Sequence, residues 1–481
     1  MMTDIQYFFG EKMPSDEYIR DVAMTKRFLE YWTMCPGFKE DLEADRVKAL
    51  AAAGIELSEP ETADYLVNED KARKYLEMKP ESRPEMVRRY KSFIQEKLTM
   101  RDELQVSTCE PVPAGFKKWR RRQVNRCWTE LGVRNRSIIH TPIIFELNKG
   151  CSVGCEFCGV SAGRLSKVSK YSEEKELWRA MLSYIKERLG APAASSGTLY
   201  YACEPLDNPD YQQFSDDYFD ILGEVGQVTT AASTRNVERT RSLLKHMLAQ
   251  KKHVHRFSVL SLEMFKTLMR EFTPEELVYV ELLPQFPEAP ACRFARAGRA
   301  SDYEHQDKVG DLDGGDTISC ISGFVVNVAE HTIRLISPCV ASEKEPTGER
   351  FIARTSFTDF ESFKNELNRL MDEYMAEDID NNKRLVLRPG IKINPIENGI
   401  QYHRGQELIL TLKDGDGEQP GIHQQVYEAL KPGSLTGYEI AAELMDKGYA
   451  PANVFRIIKE YYGAGLILEP YEHSMLQMEG Q

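Results

Sequence analysis

Between residues 151 and 158 the chain reads CSVGCEFC, three cysteines within eight residues. Thiolates spaced by three and then two residues can wrap one face of an iron–sulfur cubane and leave the fourth iron without a protein ligand. A four-cysteine electron-transfer cluster closes every iron. An open iron can chelate a small molecule, so the spacing points to a catalytic [4Fe–4S] cluster on Cys151, Cys155 and Cys158. Zinc is the competing reading. It requires a fourth Cys or His nearby, none follows Cys158 at zinc-finger spacing, and His140 is poorly placed at the start of a strand.

The run Thr141 to Leu147 (TPIIFEL) precedes the loop, and helix-like and strand-like stretches alternate after it. Helices are expected over Glu173–Leu189, Tyr211–Val225, Val237–Ala249 and Leu262–Glu271. Strands are expected over Thr198–Ala202, Gln227–Ala232, His255–Leu260 and Leu277–Leu283. A hairpin is expected from Cys320 to Cys339, with Val325, Val326 and Val328 facing Ile333, Leu335 and Ile336 across the turn Ala329–Thr332. Phe157, before the third cysteine, completes a loop that resembles the radical S-adenosylmethionine (SAM) superfamily signature, where that aromatic packs near the adenine. The five strands resemble the partial (β/α)6 barrel of those enzymes, with the site at the strand C-terminal ends.

That resemblance implies roles at those ends. Glu204, in Ala202–Pro205 (ACEP), stands where many radical SAM enzymes carry Gly-Gly-Glu, and would hold the SAM ammonium group. Cys203 replaces a glycine of that motif. Ser233 and Thr234 offer hydroxyls for the SAM carboxylate or ribose, with Ser261 and Gln285 as further candidates.

The chain of 481 residues exceeds one compact core. No apolar run reaches the ~18 residues of a membrane span, and the start is no signal peptide, so a cytoplasmic protein is expected. A net charge of −13 argues against nucleic acid and favours neutral or peptidic substrates. Four units are expected: a helical region over 1–135, a radical SAM partial barrel with hairpin over 136–345, a helical connector over 346–383, and a C-terminal unit over 384–481.

In the last unit, Arg384–Asn394, Gly399–His403 and Glu407–Leu412 read as strands. An acidic linker, Asp414–Gly421, leads to helices at His423–Leu430, Tyr438–Lys447 and Ala452–Ala464. Thr436 and Glu439 have capping-box spacing at the second of these helices. Three strands followed by three helices is a winged-helix arrangement, and its sequence resembles the leader-peptide recognition element of ribosomal-peptide maturases. Such an element binds an extended leader as an added strand. Winged helices also bind DNA, but on the third helix only Arg456 and Lys459 supply positive charge, against Glu460. Near the N-terminus, residues 35–61 are similar to leaders of nitrile-hydratase-like precursors, through Phe38, Leu42, Ala52, Gly54, Ile55 and Leu57. The same segment reads equally as a helical cap on the barrel.

Together these motifs resemble radical SAM amino-acid epimerases of proteusin-type (polytheonamide-like) peptide maturation. The resemblance implies inversion of L-residues to D-residues in a ribosomal precursor peptide bearing a nitrile-hydratase-like leader. It also implies SAM as cofactor and a reducing partner such as flavodoxin or ferredoxin. A cysteine would return hydrogen to the Cα radical, with Cys339 first, Cys320 second and Cys203 third. Two alternatives remain open: another radical SAM peptide maturase (C-methylation or crosslinking), or a non-enzymatic iron–sulfur-dependent winged-helix regulator.

Overall fold

The computed structural model describes residues 5–103, 109–309, 316–415 and 419–477. Residues 416–418 of the expected linker, and parts of the expected units at 1–4, 104–108, 310–315 and 478–481, lie outside the described residues. The architecture is mixed α/β, and its described residues form no closed barrel.

Among the described residues twelve strands make four sheets. The largest is ordered β1 (Thr141–Glu146), β7 (Ile321–Asn327), β8 (Thr332–Pro338), β9 (Glu349–Ser356). A second, all-parallel sheet holds β4 (Thr229–Thr230), β5 (His255–Val259) and β6 (Val280–Pro284). The short pair β2 (Asn148–Lys149) and β3 (Lys167–Val168) brackets the cysteine loop. In the C-terminal unit β10 (Ile393–Ile396), β11 (Gly399–Arg404) and β12 (Glu407–Lys413) are antiparallel.

Alternation along β1 sets the two layers. Ile143 and Phe145 join Phe324, Val326, Ile333 and Leu335 in a core against the helices Ala114–Leu131, Tyr171–Leu189 and Phe360–Tyr374. The Phe145 ring meets Trp178 edge-on at 4.8 Å. On the opposite face Ile144, Ile321, Val325 and Ile336 form a smaller cluster beside Tyr201.

Several expectations change on the backbone. The segment 198–202 is no strand: only Thr198 pairs, accepting from Phe145 N–H at 3.0 Å and bridging Gln227, and so ties β1 to the approach to β4. Its Oγ1 turns back to the Tyr200 carbonyl, and the Ala202 N–H goes to the Glu146 carboxylate, so side chains displace the ladder. β4 is cut to two residues because the Ala231 and Ala232 amides bind Glu204 and the Thr230 hydroxyl. Before β6, Leu277 and Val278 close tight turns on Thr273, Pro274 and Glu275. The connector 346–383 opens with β9, antiparallel to β8, before its helix.

The hairpin joins the first sheet rather than extending the second. β7 runs parallel to β1, with Thr141 opposite Ile321 and Glu146 opposite Asn327. Across the hairpin Val326 faces Ile333, but Phe324 faces Leu335 and Val325 faces Arg334.

Residues 38–44 and 46–52 form two short helices ending at Gly54, whose φ of +64 suits glycine. Their buried Phe38, Leu42, Leu50 and Ile55 pack with Phe28, Tyr75, Met86 and Val87 within the N-terminal helical region. The leader-like segment is therefore core there. Through Tyr31 and Phe265 (centroids 5.0 Å apart) this region caps the helix Leu262–Glu271.

The C-terminal unit is tied back by buried charge. In a helix the sequence gives no sign of, Pro470–Gln477, Glu472 accepts two bonds from Arg388 at 2.8 and 2.9 Å and one from Arg350 of β9 at 2.7 Å. Arg122 binds the adjacent Glu469 at 2.7 Å. Burial raises the Glu472 carboxyl, but the facing Arg388 and Arg350 outweigh it and hold it well below the usual carboxylate range. A depressed carboxylate contributes stability that is fully present above its unfolded pKa, about 4.3, and is lost as pH falls below it. Glu472→Gln, which takes the two-bond carboxylate from the buried Arg388 and leaves Arg350 with Glu130 and Glu345 alone, is expected to cost up to about 3–5 kcal/mol in urea unfolding at pH 7. The difference from wild type should shrink below pH 4. A constant difference across that window would remove the ion pairs as the cause.

No helix among the described residues is long and apolar enough to cross a membrane.

Candidate functional site

The cysteine loop leaves β2 at Gly150, whose φ is +83 and where a Cβ would stand 2.2 Å from the Arg164 carbonyl oxygen. Only glycine fits there. The loop closes on itself through Cys151 N–H to Gly163 O at 2.9 Å and Leu165 N–H to Cys151 O at 3.2 Å. A single residue from beyond β6 clamps its far side. Arg299 donates its backbone N–H to Cys158 O at 3.0 Å, Nε to Cys155 O at 2.9 Å and Nη1 to Ala162 O at 2.9 Å. Asp207 accepts from both the Ser152 amide (2.8 Å) and its hydroxyl (2.5 Å), pinning the near side. Phe157 stacks on Phe294 at 4.4 Å, with Tyr303 edge-on at 5.7 Å.

Cys151, Cys155 and Cys158 are free and half-buried. The Cys151 sulfur accepts from Val153 N–H, and the Cys158 sulfur from Ala162 N–H, each at 3.4 Å. Burial pushes the Cys155 thiol up to about 11, and the Cys158 and Cys151 sulfurs add to the shift. The Cys155 thiol therefore lies within the field of the other two sulfurs, and a cation among them would reverse that penalty. No group of three His, Cys, Asp or Glu side chains among the described residues is gathered for a single metal ion. A cubane asks for less convergence, because each thiolate binds a different iron. Amide-solvated thiols on a clamped loop fit that group.

Glu204 is buried beside this loop. Its carboxylate accepts from Thr230 Oγ1 at 2.5 Å, Ala231 N–H at 2.9 Å and Leu206 N–H at 3.0 Å, and its carbonyl accepts from Asn148 at 2.8 Å. It links the turn after residue 202 to the end of β4 and retains lone-pair capacity for a further donor. Burial raises its carboxyl despite these bonds. The Ser233 hydroxyl is fully buried with no hydrogen-bond partner among the described residues. Thr234 is half-buried beside it. Ser261 caps the helix Leu262–Glu271 by accepting from Met264 N–H at 3.1 Å, and Gln285 continues past β6 with its amide on Val259 O. Cys203 is buried, and the fields of Glu146, Glu204 and Cys151 reach it.

Because β7 parallels β1, Cys320 stands at the end of the strands opposite the cysteine loop. Cys320 is half-buried, and burial raises its thiol against the opposing pull of Arg256. The Tyr200 hydroxyl, bonded to Thr229 Oγ1 at 2.5 Å, is pushed up to about 12 by burial. Cys320 and Cys203 both raise it further, so that ring lies near both thiols. Thr229, Arg256 and Glu281 form one row across β4, β5 and β6. Cys339 is different. It is 1% exposed, its sulfur lies 3.5 Å from the Glu345 carboxylate, and burial followed by that charge drives its thiol far up. His140 is buried with ring nitrogens 2.8 Å from Ser322 and Asn135, which leaves it no role at the loop.

The sequence brought forward the loop, Glu204 and Ser233, but not Arg299, Asp207, Tyr200 or Arg256. None of these four sits in a spacing pattern; they act through contacts across tens of residues or more.

No family model matches the chain, and no solved structure matches it. Over 480 residues it is 34% identical to uncharacterized protein y4wI of Sinorhizobium fredii, covering 96% of this chain and 90% of that protein.

Proposed function

The chain belongs to the family of uncharacterized protein y4wI, and within it we propose a radical SAM peptide epimerase built on a partial (β/α)6 barrel. The observation that carries the reading is the clamped loop with three free, half-buried thiols, two of them accepting backbone amides. A [4Fe–4S] cluster held by Cys151, Cys155 and Cys158, together with SAM, would supply a carbon radical able to take hydrogen from a peptide Cα. The protein supplies position and the second hydrogen.

Glu204 would accept from the SAM ammonium, Ser233 and Thr234 would meet its carboxylate or ribose, and Phe157 would flank the adenine. Of the two candidate hydrogen donors, Cys320 is half-buried whereas Cys339 is closed off, and this difference in access supports Cys320 ahead of Cys339. The S–H bond breaks and a Cα–H bond forms with inverted configuration. The sulfur radical left behind takes one electron from a reducing partner such as flavodoxin or ferredoxin, and one proton from water. An O–H bond is too strong to give up hydrogen in this step. β12 pairs with β11 alone among the described residues, so its outer edge can take an extended leader peptide of the precursor.

The test is incubation of reduced protein with SAM and the precursor in D2O. Each inverted centre should gain one deuterium, whereas a methylase or crosslinker gives a different mass change, and absence of SAM cleavage would overturn the reading. Glu204→Gln should weaken SAM binding by about ten- to hundredfold, the worth of a charge-assisted hydrogen bond of roughly 1.5–3 kcal/mol. Thr230→Val, which removes a neutral donor from the same carboxylate, should change calorimetric SAM affinity much less. Equal losses would make Glu204 a structural tie.

A further inference from the structure

A cavity of about 260 Å³ lies over the C-terminal end of β1 and the turn between β7 and β8. Its walls include Glu146, Lys149, Arg164, Glu330, Arg334 and Arg354. Four cations thus face two carboxylates, in a chain of net charge −13. The pairing within it is uneven. Lys149 meets Glu330 at 2.6 Å and Arg334 meets Glu146 at 3.2 Å. Glu146 is further held by the Ala202 amide at 2.8 Å and Asn327 at 3.1 Å. Arg354 lies 4.0 Å from the already engaged Glu330, and the Arg164 guanidinium has no partner among the described residues. Strand register also sets Arg334 directly opposite Arg354, an arrangement that like charges disfavour. Arg164 is thus left over and Arg354 is held only at the edge of ion-pair range, both lining the same cavity.

We propose that this cavity binds a carboxylate, received by Arg164 and Arg354, and that the carboxylate is an acidic side chain of the peptide substrate. Guanidinium is suited to this, since its planar donors match a carboxylate in pairs. The volume lies below the roughly 300–1,000 Å³ of sites that enclose a whole cofactor-sized ligand, and suits one side chain. Glu204 and Ser233 are not among its walls. That the ligand is a peptide rests on the reading of the site given above; the preference for an anion rests on the cavity alone.

Phenylglyoxal, which modifies unpaired guanidinium groups, tests the assignment on the full-length protein without reductant. Labelling of Arg164 and Arg354 is followed by peptide mass mapping with end-blocked Gly-Glu-Gly, its Gln counterpart, or SAM. The Glu peptide at about 10 mM should slow both labellings about tenfold for a Kd on the order of 1 mM, and the Gln peptide should not. In saturation-transfer NMR, the Arg164→Gln/Arg354→Gln double variant should bind the two peptides alike; both positions are exposed, so the fold is retained. Protection by SAM alone, by both peptides equally, or by neither carboxylate would overturn the proposal. None of these outcomes touches the radical reading, because no radical is generated.

Discussion

Replacing Cys151, Cys155 and Cys158 together by alanine should remove iron and the brown chromophore from protein that still folds. The three side chains are half-buried and free, and none supports a core. The loop's shape comes from Arg299 on three carbonyls, Asp207 on Ser152, and the glycine geometry at Gly150, all retained in the variant. Thermal unfolding of the apo forms should therefore nearly coincide, while metal content falls to background. Iron and acid-labile sulfide, measured after anaerobic reconstitution, decide the matter. A triple variant that still held about four irons would contradict the cluster assignment at its root.

Almost as large an effect is expected at Cys320. Cys320→Ala should leave SAM cleavage intact, since Cys320 is neither a proposed cluster ligand nor a proposed SAM contact, yet D-residues should fall to background. A Cα radical is planar and has lost its configuration, so the product depends on which face receives hydrogen. With no thiol on the far face, 5′-deoxyadenosine should accumulate without inversion. Solvent deuterium should vanish from the Cα positions, since no exchangeable thiol would remain there to deliver it. Cys339→Ala should keep inversion, because its thiol is closed beneath Glu345. If Cys339→Ala instead lost D-residues while Cys320→Ala kept them, the donor would be Cys339, and the segment from Val340 to Gly348 would have to lift from it during turnover.

The helices at 237–250 and 262–271 were legible because their apolar residues recur at helical spacing, and the loop was legible because three thiols in eight residues have few uses. What stayed hidden depends on distant partners. TLYYA has strand composition, yet the Glu146 side chain takes an amide the ladder needed. ERFIARTS hides a strand within a stretch read as helical. The order of Cys339 over Cys320 assumed that the strand ending at Pro338 borders an opening. In the fold it lies between β7 and β9, and Glu345 covers the thiol.

Arg299 follows Cys155 by 144 residues. At synthesis speeds of roughly 5–20 residues per second, this separation corresponds to roughly 7–30 s of elongation. During that interval the three thiols have been made, but the guanidinium that will grip their loop has not. A carrier delivering iron and sulfide to the nascent chain would meet an ungripped loop, whereas one arriving after release would work against three hydrogen bonds. If the loop takes a cluster, the pace of translation, and not only equilibrium affinity, would set how easily it is loaded.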